Sequence, residues 1–164
     1  MTKADSAVDT GWLFTSPRPA PARCRPDFYP LTAPVEARYS DMDVNGHLNN
    51  LALESLHENI RATLNARVNP GIYDRARRAV RLVTSQNVVH FLAEAHWPAT
   101  IHAGAGVARL GTTSFVVSSA LFIDQTCISV CDTVLVAVDV DGRPVAIPPE
   151  ARTAMAQLMV RSPA

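Results

Sequence analysis

The sequence predicts an α+β fold in which an antiparallel sheet packs on one long helix. Three observations carry this expectation. One stretch, "LALESLHENIRATLNARV", has helical period, with Leu53, Leu56, Ile60 and Leu64 forming a single apolar stripe about five turns long. One period-2 stretch precedes it. Four segments rich in Val, Ile, Phe and Thr follow it, joined by short turns.

The first strand is read in "PVEARYSD", where Val35, Ala37 and Tyr39 alternate with Glu36, Arg38 and Ser40. Asn49 or Asn50 caps the helix, and Asn69-Pro70-Gly71 stops it. The later strands are "AVRLVTSQNVVHFLAEA", "TIHAGAGVARLG", "SFVVSSALFI" and "ISVCDTVLVAVDV". Trp97-Pro98, Gly111-Thr112-Thr113, Asp124-Gln125 and Asp141-Gly142 punctuate them. A short helix, "PEARTAMAQLM", closes the pattern after Pro148-Pro149. Residues 1–30 differ: "SPRPAPARCRP" has no apolar period and reads as an extended arm, with Trp12, Phe14, Phe28 and Tyr29 as anchors. The expected organisation is an arm over 1–30 and one domain over 31–160.

Composition removes several classes of function. The 164 residues carry zero formal net charge, so no global field favours nucleic acid or an anionic membrane. No apolar run approaches the roughly 18 residues that span a bilayer, and the N-terminus lacks a signal-peptide core. Cys24, Cys127 and Cys131 form no C-x-x-C pair, and no H-x-x-x-H helix accompanies them. They read as buried free thiols of a cytoplasmic protein, with no metal and no cofactor expected. His90, His96 and His102 are scattered among strands and suggest no ligand set.

The polar decapeptide "DMDVNGHLNN", from Asp41 to Asn50, stands between the first strand and the helix. The first N–H groups of a helix lack intrahelical partners and sit at the positive end of its dipole, so they can hold a carbonyl oxygen as it gains charge. A carboxylate a few residues earlier can act on the carbon of that carbonyl, directly or through water. The segment therefore has the parts for acyl transfer to water.

The longer stretch "RYSDMDVNGHLNNLALESLHENIR" resembles the signature of hot-dog-fold acyl-CoA thioesterases of the 4-hydroxybenzoyl-CoA thioesterase branch, D-x-D-x-x-G-H-x-N-N followed by a helix with E-x-x-R. Asp41, Asp43, Gly46, His47, Asn49, Asn50, Glu58 and Arg61 fall in register. "RLGTTSFVV" and "VLVAVDVDGRPVAIPPEAR" are similar to the family's later strands, so the resemblance spans residues 33–155. It implies a curved antiparallel sheet wrapped around the helix. Asp43 would be the catalytic base or nucleophile, with the backbone N–H of Asn50 as oxyanion donor. "DVNGH" is also similar to the D-x-N-x-H run of plant acyl-ACP thioesterases, which implies that Asn45 and His47 contribute.

The resemblance further implies an acyl-CoA or acyl-ACP substrate and a homodimer or tetramer with sites between subunits. Substrate would also meet Leu53, where relatives often carry an aromatic residue, and the turn formed by Arg109, Thr112, Thr113 and Ser114. The arginines at 75, 77, 78 and 81 are a further candidate cradle for coenzyme A phosphates. Glu58 and Arg61 read as an ion pair on the helix surface. The alternatives are an (R)-enoyl-CoA hydratase-like enzyme, whose D-x-N-P-x-H run is one residue longer, and a non-catalytic acyl-CoA binder.

Overall fold

The computed structural model describes residues 18–76 and 78–161, so Trp12, Phe14 and Arg77 lie outside the described residues. Five strands, β1 (Leu31–Glu36), β2 (Arg81–Phe91), β3 (Thr100–Leu110), β4 (Ser114–Ile123) and β5 (Thr126–Val138), form one antiparallel sheet in the order β1-β3-β4-β5-β2. Helix α1 (Asn50–Val68) crosses one face, and the short α2 (Pro149–Gln157) packs beside it. This is the hot-dog fold: a sheet closed around a central helix. Register shifts between Thr84 and Gln86, Val107 and Arg109, and Leu121 and Phe122 mark irregularities of the kind that bend a flat sheet into such a wrap.

The core lies between the sheet and α1. Leu53, Leu56, Ile60 and Leu64 are all buried there against Ile101, Val107, Phe115, Val117 and Leu121. The helix is wetter inside than its apolar stripe suggests. His57, Arg61 and Asn65 form a second buried stripe at four-residue steps, with His57 only 1% and Arg61 6% exposed. Burial of His57 and Arg61 is tolerable because the strands answer them with hydroxyls. Asn65 instead donates to the Tyr73 hydroxyl at 3.3 Å and keeps a buried Oδ1 without a hydrogen-bond partner among the described residues. Ser119 and Ser129 bond the two ring nitrogens of His57 at 2.8 and 2.9 Å, and Thr133 accepts from the Arg61 guanidinium at 2.8 Å. Arg61 also meets Glu58 at 3.2 Å, so the expected ion pair exists, but its cationic end is interior rather than on the surface.

Two boundaries differ from the sequence reading. The first strand ends at Glu36 rather than continuing through Ser40. Residues Tyr39–Asp41 instead form a single 3-10 turn, held by the Arg38 N–H on the Asp41 carboxylate at 2.7 Å. The packed layer also begins earlier than residue 31. Pro21–Cys24 and Pro26–Phe28 are two short 3-10 turns laid on the outer sheet face, where Tyr29 is 1% exposed and packs on Phe122 and Val130. Arg23 reaches across to Asp132 and Ser118, and the Tyr29 hydroxyl donates to the Arg23 carbonyl at 2.7 Å. Gly104 makes room for this cover: a Cβ there would lie 2.8 Å from the Tyr29 ring. Of the three free cysteines only Cys131 is buried; Cys24, in the arm, and Cys127, on the sheet beneath it, are half-buried.

Candidate active site

The decapeptide folds into a closed turn on the doorstep of α1. The N–H of Asp43 donates to the His47 carbonyl at 2.8 Å, and the N–H of Gly46 to the Asp43 carbonyl at 3.1 Å. Gly46 has φ +77°, a conformation that glycine adopts without steric cost. Met42 and Leu48 pair across the neck. The Asp43 carboxylate organises the inside of the loop: its Oδ1 accepts the N–H groups of Asn45 (2.8 Å) and His47 (3.2 Å). The Asn45 amide sits 3.4 Å from Oδ2, leaving most of that oxygen's acceptor capacity free. Desolvation is the largest single influence on Asp43 and opposes its ionisation, but these donors and the neighbouring His47 together outweigh it and hold the carboxyl below the usual aspartate value.

Asn49 joins the turn to the helix. Its side chain accepts the Ala52 N–H at 2.8 Å and donates to the Asp41 carbonyl at 2.9 Å, which makes it the N-cap. The Leu53 N–H closes on the Asn49 carbonyl. That leaves the N–H groups of Asn50 and Leu51, in the first turn, without a carbonyl within the helix. Asp41 serves as an end-piece, accepting from Arg38 and, through its carbonyl, from Asn49.

A cleft of about 280 Å³ opens here, lined by Asp43, His47, Asn50 and Leu53 on one side and by Phe91, Leu92 and Glu94 on the other. The structure thus brings four of the sequence-derived candidates to one cavity, while Asn45 shapes the turn behind it. Arg109, Thr112, Thr113 and Ser114 are elsewhere. They occupy the β3–β4 turn, where the Thr112 carbonyl accepts from Ile147 and the Thr113 carbonyl from Ala137. The cleft flanks the other end of β3, roughly 30 Å away along the strand. Arg75, Arg78 and Arg81 line a separate cleft with Asp139, at the end of β2 opposite Phe91. Both candidate phosphate-binding groups therefore gather at the same distant end of the sheet.

Residues 37–155 match the thioesterase-like superfamily. The chain belongs to that family. Its chemistry is thioester hydrolysis, and as a thioesterase-like protein the chain is a thioester hydrolase. Among solved structures, a Pseudomonas aeruginosa protein shares 28% identity at a TM-score of 0.76, covering 85% of this chain and 98% of that one. A predicted thioesterase from Bacillus stearothermophilus shares 22% (TM-score 0.74, 80% and 98% covered). A Thermus thermophilus thioesterase, complexed with coenzyme A and Zn, also shares 22% (TM-score 0.71, 79% and 94%). Among curated proteins none matches the chain.

Sequence reasoning missed the far wall of the cleft in this thioesterase-like protein. Phe91, Leu92 and Glu94 read as the tail of a strand segment, and His96 as an isolated histidine. In space the His47 and His96 rings meet edge-on at 4.9 Å, and His47 Nε2 lies 3.4 Å from the Glu94 carboxylate. His96 Nδ1 donates to the Gly46 carbonyl at 2.9 Å, about fifty residues away in sequence. No local spacing carries such a signal, because the Leu48–Ala95 backbone bond that joins the two segments is a tertiary contact.

Proposed function

We propose that the protein hydrolyses acyl-CoA thioesters to a carboxylic acid and coenzyme A at the cleft before α1. The observation that carries this reading is the shared wall: the Asp43 carboxylate, the first turn of α1 at Asn50 and the apolar Leu53 face one cavity. The thioester carbonyl oxygen points at the Asn50 N–H, which takes up its charge as the carbon becomes tetrahedral. Asp43 Oδ2 either attacks that carbon or takes the proton of an attacking water. Both routes need an ionised carboxylate, which the N–H donors to Oδ1 favour. In the first route the C–S bond breaks to release coenzyme A thiolate and leave an acyl–Asp43 anhydride. Water then hydrolyses the anhydride to the free acid and the carboxylate, its proton going to the thiolate. In the second the C–S bond breaks and the proton that Asp43 took from water passes to the leaving thiolate. Coenzyme A in the Thermus relative supports CoA as the carrier. Presenting one acyl group on CoA and on an acyl carrier protein tests this choice; faster cleavage on the carrier protein would reverse it.

The same reading calls for a homodimer. A pantetheine arm cannot reach from Asp43 to Arg109 or Arg78 along the length of one sheet. β2 is an edge strand, and its residues Thr84–Asn87 are exposed. A two-fold pairing of two β2 edges runs them antiparallel, so the far end of one sheet comes beside the cleft of the other. Exposed Phe91, Leu92 and Leu51 around the cleft fit a surface that a second copy covers.

Leu53 sets the acyl preference in this account. It is 3% exposed at the inner end of the cleft, where an aliphatic side chain leaves more room than an aromatic one. Medium or long acyl-CoA should be preferred over acetyl-CoA. Leu53→Tyr should move the preference toward shorter chains by about 1–3 kcal/mol in discrimination. The comparison is kcat/KM for C4, C8, C12 and benzoyl thioesters in both proteins. An unchanged profile would make Leu53 a core residue only.

A further inference from the structure

The rim of the cleft holds a group of side chains whose arrangement goes beyond what the proposed hydrolysis requires. His47, Glu94 and His96 each present a ligand atom, and these atoms all lie within 4.8 Å of one another. We propose that they form a binding site for a divalent transition-metal ion of the Zn²⁺ type.

The donor set fits such an ion. Two imidazole nitrogens and one carboxylate oxygen suit borderline metals, and three protein ligands leave a fourth position for water. The spacing between His47 and Glu94 fits as well. Bonds of about 2.0–2.1 Å in a tetrahedron put neighbouring ligand atoms about 3.3 Å apart, and His47 Nε2 stands 3.4 Å from the Glu94 oxygen. The tautomer of His96 is set by its surroundings. A carbonyl oxygen only accepts, so the 2.9 Å contact with Gly46 keeps the proton on Nδ1 and leaves the Nε2 lone pair free. Metal-binding histidines are commonly oriented by such a bond from the other ring nitrogen.

The scaffold is already in place. The Leu48 N–H donates to the Ala95 carbonyl at 2.7 Å, which fastens the His47 turn to the segment bearing Glu94 and His96. Glu94 and His96 are exposed, so an ion can enter from solvent, and the Glu94 carboxylate can swing to close on it. A bound ion would tie the Asp43–His47 turn to the opposite wall of the cleft. The inference rests on this geometry and stands whether or not the cleft hydrolyses acyl-CoA.

The test is a Zn²⁺ titration of the full, metal-stripped chain lacking a histidine tag, followed by calorimetry and by the visible spectrum of Co²⁺ as a substitute. One ion per chain is expected, with the intense Co²⁺ absorption of a tetrahedral site. Glu94→Gln and His96→Gln should each weaken binding at least about tenfold, while His102→Gln, on the sheet's outer face, should leave it unchanged. Circular dichroism confirms that each variant is folded. Binding well below one ion per chain would overturn the proposal. So would equal affinity in wild type, Glu94→Gln and His96→Gln.

Discussion

Asp43→Asn should cut thioester turnover by about two orders of magnitude or more while leaving the fold and ligand binding nearly intact. The substitution is almost isosteric, and the retained Oδ1 can still accept the N–H groups of Asn45 and His47 that shape the turn. What disappears is the charge and the basic oxygen on the open side of the carboxylate. An amide neither takes a proton from water nor attacks a thioester at neutral pH, so the loss should fall on kcat rather than on KM. Turnover with the best acyl-CoA, the dissociation constant for coenzyme A and a thermal melt separate these effects. A variant that keeps most of its activity would remove Asp43 from the chemistry.

Acid should weaken the fold through His57. Burial, aided by the neighbouring Arg61 cation, pushes its pKa down from 6.5 to about 3. The unfolded chain therefore binds a proton that the folded chain refuses between these values. The stability tied to the neutral ring is fully present above about pH 6.5 and is lost as pH falls toward 3. Integrated across the window, the loss is on the order of 4 kcal/mol, a large share of the 5–15 kcal/mol typical of a domain. Urea unfolding at a series of pH values measures it. His57→Gln should be less stable at pH 7, because Ser119 and Ser129 lose their ring partner. Its stability should also fall less steeply between pH 6.5 and 3. Parallel slopes in the two proteins would mean that His57 takes up its proton without unfolding cost.

What could be read from the sequence was what is local. The stripe Leu53–Leu56–Ile60–Leu64 and the four later strands lie where their periods predict, since each reports one face of one element. The turn before α1 was legible for the same reason: Asp43, Gly46, Asn49 and Asn50 act within ten residues. The second helix stripe was not. His57, Arg61 and Asn65 are polar, and polarity reads as solvent until the hydroxyls of Ser119 and Ser129 facing His57, of Thr133 facing Arg61 and of Tyr73 facing Asn65 are known. Tyr29 was legible as an anchor of the arm, but its pocket was not, being made by Gly104 and Phe122 far along the chain. The cleft's opposite wall was hidden likewise, being brought to His47 by the fold alone. Arg109 and the Thr112–Ser114 turn were tied to substrate by resemblance, and one chain keeps them at the other end of the sheet.

The central claim is that the cavity between Asp43, Asn50 and Leu53 cleaves acyl-CoA. Release of free thiol, followed with a thiol-trapping dye across C2 to C12 and aromatic acyl-CoA thioesters, tests it most directly, with crotonyl-CoA hydration monitored in parallel. The account predicts catalytic thiol release from one or more medium or long thioesters, free acid as the co-product, and no hydration of crotonyl-CoA. Acyl-CoA binding without thiol release across the panel, or hydration in its place, would contradict it.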